Sequence, residues 1–255
     1  FNLSDYQSEV TKFDNESKEL GNWYVGQKQG EIWGYETYGL FQSEQEIAGA
    51  ANQDKVSGGI KLMPGDIRFV DRNNDGVIDW GDNTVDNPGD KKIIGNSTPR
   101  YHYGINLGAD WKGFDLGIFF QGVGKRDLYL PGTSFRSHYG SEWQVPSAYN
   151  NDYWTEENTG AYFPRARFNG GSAINQAQTR YMVDASYCRL KSVSIGYTLP
   201  KVLTQKASIE KIRIYFTGEN LFTISDTPDG LDPELDNPYT YPMQRSLSVG
   251  LSLTF

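Results

Sequence analysis

The stretch Ser246-Leu247-Ser248-Val249-Gly250-Leu251-Ser252-Leu253-Thr254-Phe255 decides the fold class of this chain. Leu, Val and Phe occupy its odd positions, and Ser, Gly and Thr occupy its even positions. Because successive side chains of a β-strand point to opposite faces, the alternation predicts a strand with one apolar and one small polar face. A transmembrane barrel strand has such faces, since lipid lies outside and a wet or plugged lumen lies inside. A strand of about ten residues, tilted by about 40°, spans roughly 25 Å, the height of the apolar band of a barrel.

Four further segments show the same alternation and also predict strands. They are residues 101–111, 114–120, 192–199 and 212–217. Their apolar faces carry no charge, as expected of positions that contact lipid, because a charge in mid-bilayer costs about 2–4 kcal/mol. Weaker patterns predict part of a strand within residues 1–13 and another within residues 31–41.

The predicted connections between strands differ greatly in length. Lys112-Gly113 is a tight hairpin turn, and residues 200–211 are a moderate connection in which Pro200 suits the first turn of a short helix. Three connections are long, at about 42–100, 122–186 and 220–244. Compact soluble domains rarely contain such loops. Outer-membrane barrels combine short periplasmic turns with long extracellular loops, so we predict that these three segments are extracellular.

The composition excludes several classes of function. A net charge of −8 over 255 residues argues against a nucleic-acid partner. No stretch approaches the roughly 18 apolar residues of a transmembrane helix, so the sequence predicts none. No pair of carboxylates, pair of histidines or nucleophile–histidine–acid set stands out. We therefore do not expect an enzyme and name no catalytic residue.

Residues 71–82 have the spacing of a calcium-binding loop. Oxygen-bearing side chains or a main-chain carbonyl stand at the ligand positions, and Gly76 permits the sharp turn between them. The predicted ligands are Asp71, Asn73, Asp75, the carbonyl of Val77, Asp79 and Asp82. The last position departs from EF-hand loops, which have a Glu there, and resembles dockerin loops. The alternative is a turn that binds no metal, because Asn, Asp and Gly also favour turns. We expect a structural Ca²⁺ ion.

Aromatic residues are dense in two of the predicted loops, at 129–163 and at 239–241. Such side chains can stack on sugar rings, and Trp143, Tyr149 and Trp154 are the candidate substrate-binding residues. The alternatives are that these rings pack inside the loops or form a protein interface.

Motifs along essentially the whole chain carry a family resemblance. They are Pro64-Gly65-Asp66-Ile67-Arg68-Phe69-Val70, Ile94-Gly95-Asn96, Tyr103-Gly104-Ile105-Asn106, Gly113-Phe114-Asp115-Leu116, Tyr153-Trp154-Thr155-Glu156-Glu157-Asn158, Pro164-Arg165, Tyr187-Cys188-Arg189-Leu190, Ile195-Gly196-Tyr197-Thr198-Leu199-Pro200, Gly218-Glu219-Asn220-Leu221-Phe222 and Asp232-Pro233-Glu234. In these motifs the chain resembles the C-terminal part of the barrel of SusC/RagA-type TonB-dependent transporters of Bacteroidetes.

The resemblance implies both a fold and a function. The fold would be all-β, with residues 1–255 forming the C-terminal portion of a 22-stranded antiparallel transmembrane β-barrel. The plug domain and the earlier strands would lie outside this chain. The whole protein would stand in the outer membrane of a Gram-negative bacterium, in contact with lipid. It would import oligosaccharides, using a SusD-like surface lipoprotein as a lid and energy from TonB–ExbB–ExbD.

Two alternatives to oligosaccharide import stay open at this point. Peptide import would use the same architecture. A soluble, calcium-stabilised carbohydrate-binding β module would explain the aromatic residues and residues 71–82, and detergent dependence of the purified protein would separate it from a transporter.

Overall fold

The computed structural model describes residues 1–129, 152–167, 171–205, 208–228, 231–235 and 240–255. Strands dominate these residues. The strands are β1 (Asn2–Ser4), β2 (Glu31–Tyr35), β3 (Thr37–Leu40), β4 (Ile67–Phe69), β5 (Lys91–Asn96), β6 (Arg100–Trp111), β7 (Phe114–Lys125), β8 (Asp127–Tyr129), β9 (Met182–Asp184), β10 (Tyr187–Thr198), β11 (Lys211–Glu219), β12 (Thr223–Ser225) and β13 (Ser246–Thr254). The α-helices are α1 (Glu44–Ala48), α2 (Asp54–Ser57) and α3 (Lys201–Thr204), and short 3₁₀ turns lie at Ala173–Asn175 and Thr179–Tyr181. No helix in these ranges is long and apolar enough to cross a membrane.

The longest strands form one antiparallel sheet. Its strand order is β1-β6-β7-β10-β11-β13, and β12 pairs with one end of β10. The five strands predicted from strict alternation all lie in this sheet, so the prediction of their existence is confirmed. The hairpin at Lys112-Gly113 is confirmed as well, with φ of 46° and 89°, the positive values that two-residue hairpin turns require. Helix α3 begins directly after Pro200, as predicted.

Two strands are longer than their alternation indicated. Strand β7 continues to Lys125, and β10 begins already at Tyr187. Between Leu190 and Ser192 the pairing of β10 with β7 shifts register, which leaves Lys191 as an extra residue. A bulge of this kind interrupts the period of two, so the alternation could not be followed through it.

The chain divides into two compact units. The sheet unit comprises Phe1–Tyr6, Pro99–Arg126 and Asp184–Phe255. The loop unit comprises Gln7–Thr98 and Asp127–Val183. The loop unit thus starts well before the predicted boundary at residue 42.

The two weakly predicted strands near the start of the chain differ from expectation. Of residues 1–13, only Asn2–Ser4 form a strand of the large sheet. Residues 31–41 contain two short strands separated at Glu36, and both belong to the loop unit. There β2 pairs with β5, and β3 pairs with β4.

The loop unit contains most of the buried side chains among the described residues. Its core consists of Tyr35, Leu40, Val56, Ile67, Phe69, Ile78, Trp154, Ala161, Phe163, Ala173, Ile174 and Tyr181. Backbone hydrogen bonds join parts of this core that are far apart in sequence, such as the bond from the N–H of Tyr35 to the carbonyl of Ala177, 2.8 Å. Two of the three segments predicted as long extracellular loops, 42–100 and 122–186, therefore lie largely in a folded unit with its own hydrophobic core.

Candidate functional site

The apolar residues of the sheet unit form one continuous face. The strand register aligns them in rows; one row contains Trp111, Phe114, Tyr197, Ile214 and Leu251 on five neighbouring strands. None of these residues is charged. The exposed members of the face are Leu107, Trp111, Phe114, Leu116, Ile195, Ile214, Leu247, Val249, Leu251 and Leu253. An exposed apolar surface of this extent marks a region that associates with another apolar phase or partner.

The opposite face of the sheet carries mostly small or polar side chains, together with the rings of Phe119 and Tyr215. In one row Ser248 stands beside Thr217, Ser194 and Gly117. The two faces therefore differ as the sequence alternation predicted.

An ion pair crosses one strand on this polar face. The Arg213 Nε of β11 donates to the Asp115 Oδ1 of β7 over 2.8 Å, and a second bond joins Nη2 to Oδ2. Strand β10 lies between β7 and β11, and the pair passes over it at Gly196. A Cβ atom at this glycine would lie 2.5 Å from the Asp115 carboxylate oxygen and from the guanidinium. Only glycine therefore leaves the space that this bidentate pair needs.

A charged cluster anchors the segment 231–235 to the bulged end of β10. The buried guanidinium of Arg189 binds Asp232 Oδ1 at 2.6 Å and Glu234 Oε2 at 2.7 Å, and Lys191 Nζ lies 2.9 Å from the same Glu234 oxygen. Burial by itself would raise the pKa of Asp232. Hydrogen bonds from Arg189 and from the N–H groups of Met243 and Glu234 outweigh it, so the pKa is lowered. The carboxylate thus stays charged and keeps the segment in place.

The first part of the predicted calcium loop forms a turn closed by its own hydrogen bonds. Asp71 accepts from the N–H groups of Asn74 and Gly76, at 2.7 and 2.9 Å. Asp75 accepts from the N–H of Val77 at 2.8 Å, and Asn73 donates to Asp75. These contacts are typical of an Asx-rich turn.

The later predicted ligands have other partners. Asp79 Oδ2 lies 2.6 Å from Lys55 Nζ, and this hydrogen bond lowers the pKa of Asp79. Asp82 accepts from the side chain of Asn87 at 2.8 Å. Within the described ranges, no group of three or more His, Cys, Asp or Glu side chains is arranged to hold a metal ion. The six predicted ligands are therefore not gathered into one set in this geometry.

A buried carboxylate that the sequence analysis missed holds this loop together. Asp90 is fully buried and accepts from the N–H of Arg72 at 2.7 Å and from the N–H of Asp79 at 2.9 Å. It therefore joins the two ends of the loop. Asp90 lies beyond the twelve-residue pattern, so the spacing of the motif gives no signal for it.

The structure describes only one of the three predicted substrate-binding residues. Trp143 and Tyr149 lie outside the described residues. Trp154 belongs to the core of the loop unit and is only 3% exposed. The Arg165 guanidinium lies 4.6 Å from the centre of its ring. Trp154 is thus packed within the loop unit, as in the alternative considered above, and its contact with a substrate stays a prediction.

Comparison with curated proteins finds relatives that are all named TonB-dependent receptors. The chain is 31% identical over 248 residues to TonB-dependent receptor P3 of Formosa agariphila, covering 90% of this chain and 22% of that protein. It is 29% identical over 194 residues to TonB-dependent receptor SusC of Bacteroides thetaiotaomicron, covering 73% of this chain and 17% of that protein. The chain thus spans about a fifth of the length of these relatives. No protein-family profile matches it.

Comparison with solved structures shows a shared fold. The structure of the RagAB peptide transporter matches with a TM-score of 0.64 at 22% identity, covering 91% of this chain and 24% of that one. The RagAB peptide importer in its open-open state matches with the same TM-score at 19% identity and covers the whole chain.

Proposed function

This chain belongs to the SusC-type TonB-dependent receptors, and we propose that its sheet forms part of the wall of a transmembrane β-barrel that imports nutrients across the outer membrane. The continuous, uncharged and exposed apolar face of the sheet carries this proposal. In water such a face would be unfavourable, whereas against lipid it is the surface that a barrel requires. A soluble carbohydrate-binding module would have to cover it.

The proposed barrel is antiparallel and, by the family resemblance, 22-stranded with an internal plug. Strand β13 has a hydrogen-bonded neighbour only on the β11 side among the described strands. An unpaired edge is unfavourable in lipid because its N–H and C=O groups lack partners. Further strands of the whole protein would pair with this edge and close the wall.

The proposed partners follow from the relatives. The names SusC and RagAB support a SusD-like surface lipoprotein that covers the barrel, and membership in the TonB-dependent receptors supports energy supply by TonB–ExbB–ExbD. The loop unit, folded around its own core, offers an ordered surface on which we place such a partner. We propose this unit as the extracellular side of the protein.

The cargo is either an oligosaccharide or a peptide. The dense aromatic residues of the loops favour oligosaccharides, although Trp154, one of the three candidate residues, is only 3% exposed. RagAB, which shares the fold of this chain, is itself a peptide transporter. The peptide alternative therefore stands beside the oligosaccharide one.

Deletion of the whole gene should abolish growth on a defined set of purified oligosaccharides or peptides as sole nutrient. The reason is that such cargo is too large to cross the outer membrane without a dedicated transporter. Growth yield on single glycans, single peptides, monosaccharides and free amino acids measures the effect, and the last two nutrients serve as controls. As a separate test of the partner, the full-length protein purified in detergent should co-purify with a lipoprotein. Unchanged growth on every glycan and peptide would refute the import proposal.

We also propose that residues 71–82 bind a structural Ca²⁺ ion, although Asp79 and Asp82 would have to exchange Lys55 and Asn87 for the ion. Terbium, a calcium substitute, should then luminesce upon excitation of the nearby, partly exposed Trp80. Asp71→Asn should weaken this signal at least about tenfold, because calcium sites depend on carboxylate charge. Asp86→Asn, at an exposed aspartate outside the predicted ligand set, is the control. The proposal would be contradicted if the full-length protein showed no terbium luminescence, or if added calcium did not reduce that luminescence.

A further inference from the structure

A cleft of about 440 Å³ opens beside Trp154 in the loop unit. Met63, Pro64 and Trp154 contribute apolar lining, while Glu44, Glu156 and Arg165 contribute charge. Its volume lies within the range of pockets that bind small molecules or parts of larger ligands, roughly 300–1,000 Å³. The cleft is therefore large enough to hold a few residues of a polymer.

The guanidinium of Arg165 is held in place without using its hydrogen-bond donors. Its charge lies 4.6 Å from the centre of the Trp154 ring, and its backbone N–H donates to the carbonyl of Gly65 at 2.9 Å. The Trp154 ring is fixed in turn, because its Nε1 donates to Gln42 Oε1 at 3.1 Å. In the part of the chain that the structure describes, the guanidinium has no hydrogen bond or ion pair. Five N–H donors are thus oriented and available.

The two carboxylates of the cleft are available as well. Glu44 and Glu156 are exposed, and among the described residues neither side chain has a hydrogen bond or an ion pair. Neighbouring Glu46, by contrast, accepts from the N–H of Gln42 at 2.8 Å. The cleft therefore presents one positive and two negative groups without partners.

We propose that this cleft binds a peptide, with Arg165 binding a carboxylate of the ligand and Glu44 and Glu156 binding an ammonium group. A peptide carries both groups, at its termini and on its side chains. A neutral oligosaccharide would partly bury all three charges and neutralise none of them, which is unfavourable. An acidic oligosaccharide would satisfy Arg165 and would meet repulsion from the two carboxylates.

This inference rests on the proposed import function and names the cargo class for it. It also explains the burial of Trp154, since the indole holds Arg165 in position and Arg165 contacts the ligand. Arg165 is part of the Pro164-Arg165 motif that contributes to the family resemblance, but that motif does not indicate a role for the arginine.

Titration calorimetry with the full-length receptor, purified together with its lipoprotein, tests the proposal. Three probes are used. The first is a lysine-containing octapeptide with free termini. The second is an uncharged version of that peptide, with an acetylated N-terminus, an amidated C-terminus and Gln in place of Lys, and the third is maltoheptaose. We expect the charged octapeptide to bind more tightly than the other two. Arg165→Gln should weaken its binding about tenfold or more, because the charge-assisted hydrogen bonds to the ligand carboxylate are lost. The double variant Glu44→Gln/Glu156→Gln should also weaken binding of the charged octapeptide. Because both substitutions are at exposed positions, this variant tests the cleft even if Arg165→Gln misfolds.

Arg68→Gln is the matched control. This arginine also stacks on aromatic rings of the loop unit, 5.2 Å from Tyr38 and 5.8 Å from Phe41, but it does not line the cleft. An equal effect of Arg68→Gln and Arg165→Gln, unchanged octapeptide binding in the cleft variants, or preferential binding of maltoheptaose would overturn the inference. Loss of the lipoprotein from the Arg165→Gln receptor would also overturn it, in favour of a protein contact. These outcomes leave the import proposal intact, because that proposal depends on growth of the deletion strain.

Discussion

Val249→Arg is expected to remove most of the folded protein from the outer membrane. Val249 is 78% exposed, stands near the middle of β13 and pairs with Phe216 of β11 on the apolar face. In the proposed barrel its side chain contacts lipid. An arginine near the bilayer midplane of a barrel costs about 2–4 kcal/mol, which is a large fraction of typical protein stability. The amount of heat-modifiable, folded full-length protein in outer-membrane fractions measures the effect.

Ser248→Arg provides the control for this experiment, because Ser248 is the preceding residue of the same strand. It pairs with Thr217 on the opposite, polar face. An arginine there does not enter lipid, so the loss of folded protein should be much smaller. If both variants assembled equally well, or equally badly, the assignment of the Val249 face to lipid would be wrong.

Gly122→Ala is expected to lower the stability of the assembled sheet by about 1–3 kcal/mol, the usual cost of overpacking. Gly122 of β7 lies directly beneath the ring of Tyr103, whose hydroxyl donates to the carbonyl of Tyr187 at 3.1 Å. A Cβ atom at Gly122 would overlap the Tyr103 ring and the Tyr187 carbonyl oxygen. Because the carbonyl belongs to the backbone of β10, a rotamer change of Tyr103 cannot relieve the overlap.

Gly117→Ala is the matched control on the same strand. A Cβ atom at Gly117 would have no heavy atom of the described residues within 4 Å, its chain neighbours aside. Urea-induced or thermal unfolding of the full-length protein in detergent, followed by the shift of its heat-modifiable band, compares the two variants. The prediction fails if Gly122→Ala unfolds at the same midpoint as Gly117→Ala.

The sheet was the most predictable part of the chain. In β6, β7, β10, β11 and β13 the alternation of apolar and small polar residues reports directly which side chains share a face, since this depends only on local backbone geometry. The turn at Lys112-Gly113 was equally predictable, because two residues between alternating segments leave few possible conformations. The alternation failed at Lys191, where the bulge changes the face of the following residues.

The loop unit was not predictable in the same way. The prediction that Trp154 stacks on a ligand rested on aromatic density, which does not distinguish a binding surface from a packed core. Its burial depends on Gln42 and Gly65, which are about a hundred residues away in sequence. The metal-loop spacing of residues 71–82 likewise gave no indication that Asp79 pairs with Lys55 or that Asp90 joins the ends of the loop.

The sequence by itself thus determined the five long strands β6, β7, β10, β11 and β13, the two chemically different faces of their sheet and the family of the chain, because periodicity and motifs are local properties. Only the tertiary structure decided which charges find partners. Arg213 and Asp115 meet across Gly196, and Arg189 is neutralised by Asp232. Arg165 lies on Trp154, and its guanidinium has no hydrogen-bond partner in the described part of the chain. Whether a charged group is paired depends on contacts between segments distant in the chain, and no local pattern encodes those contacts.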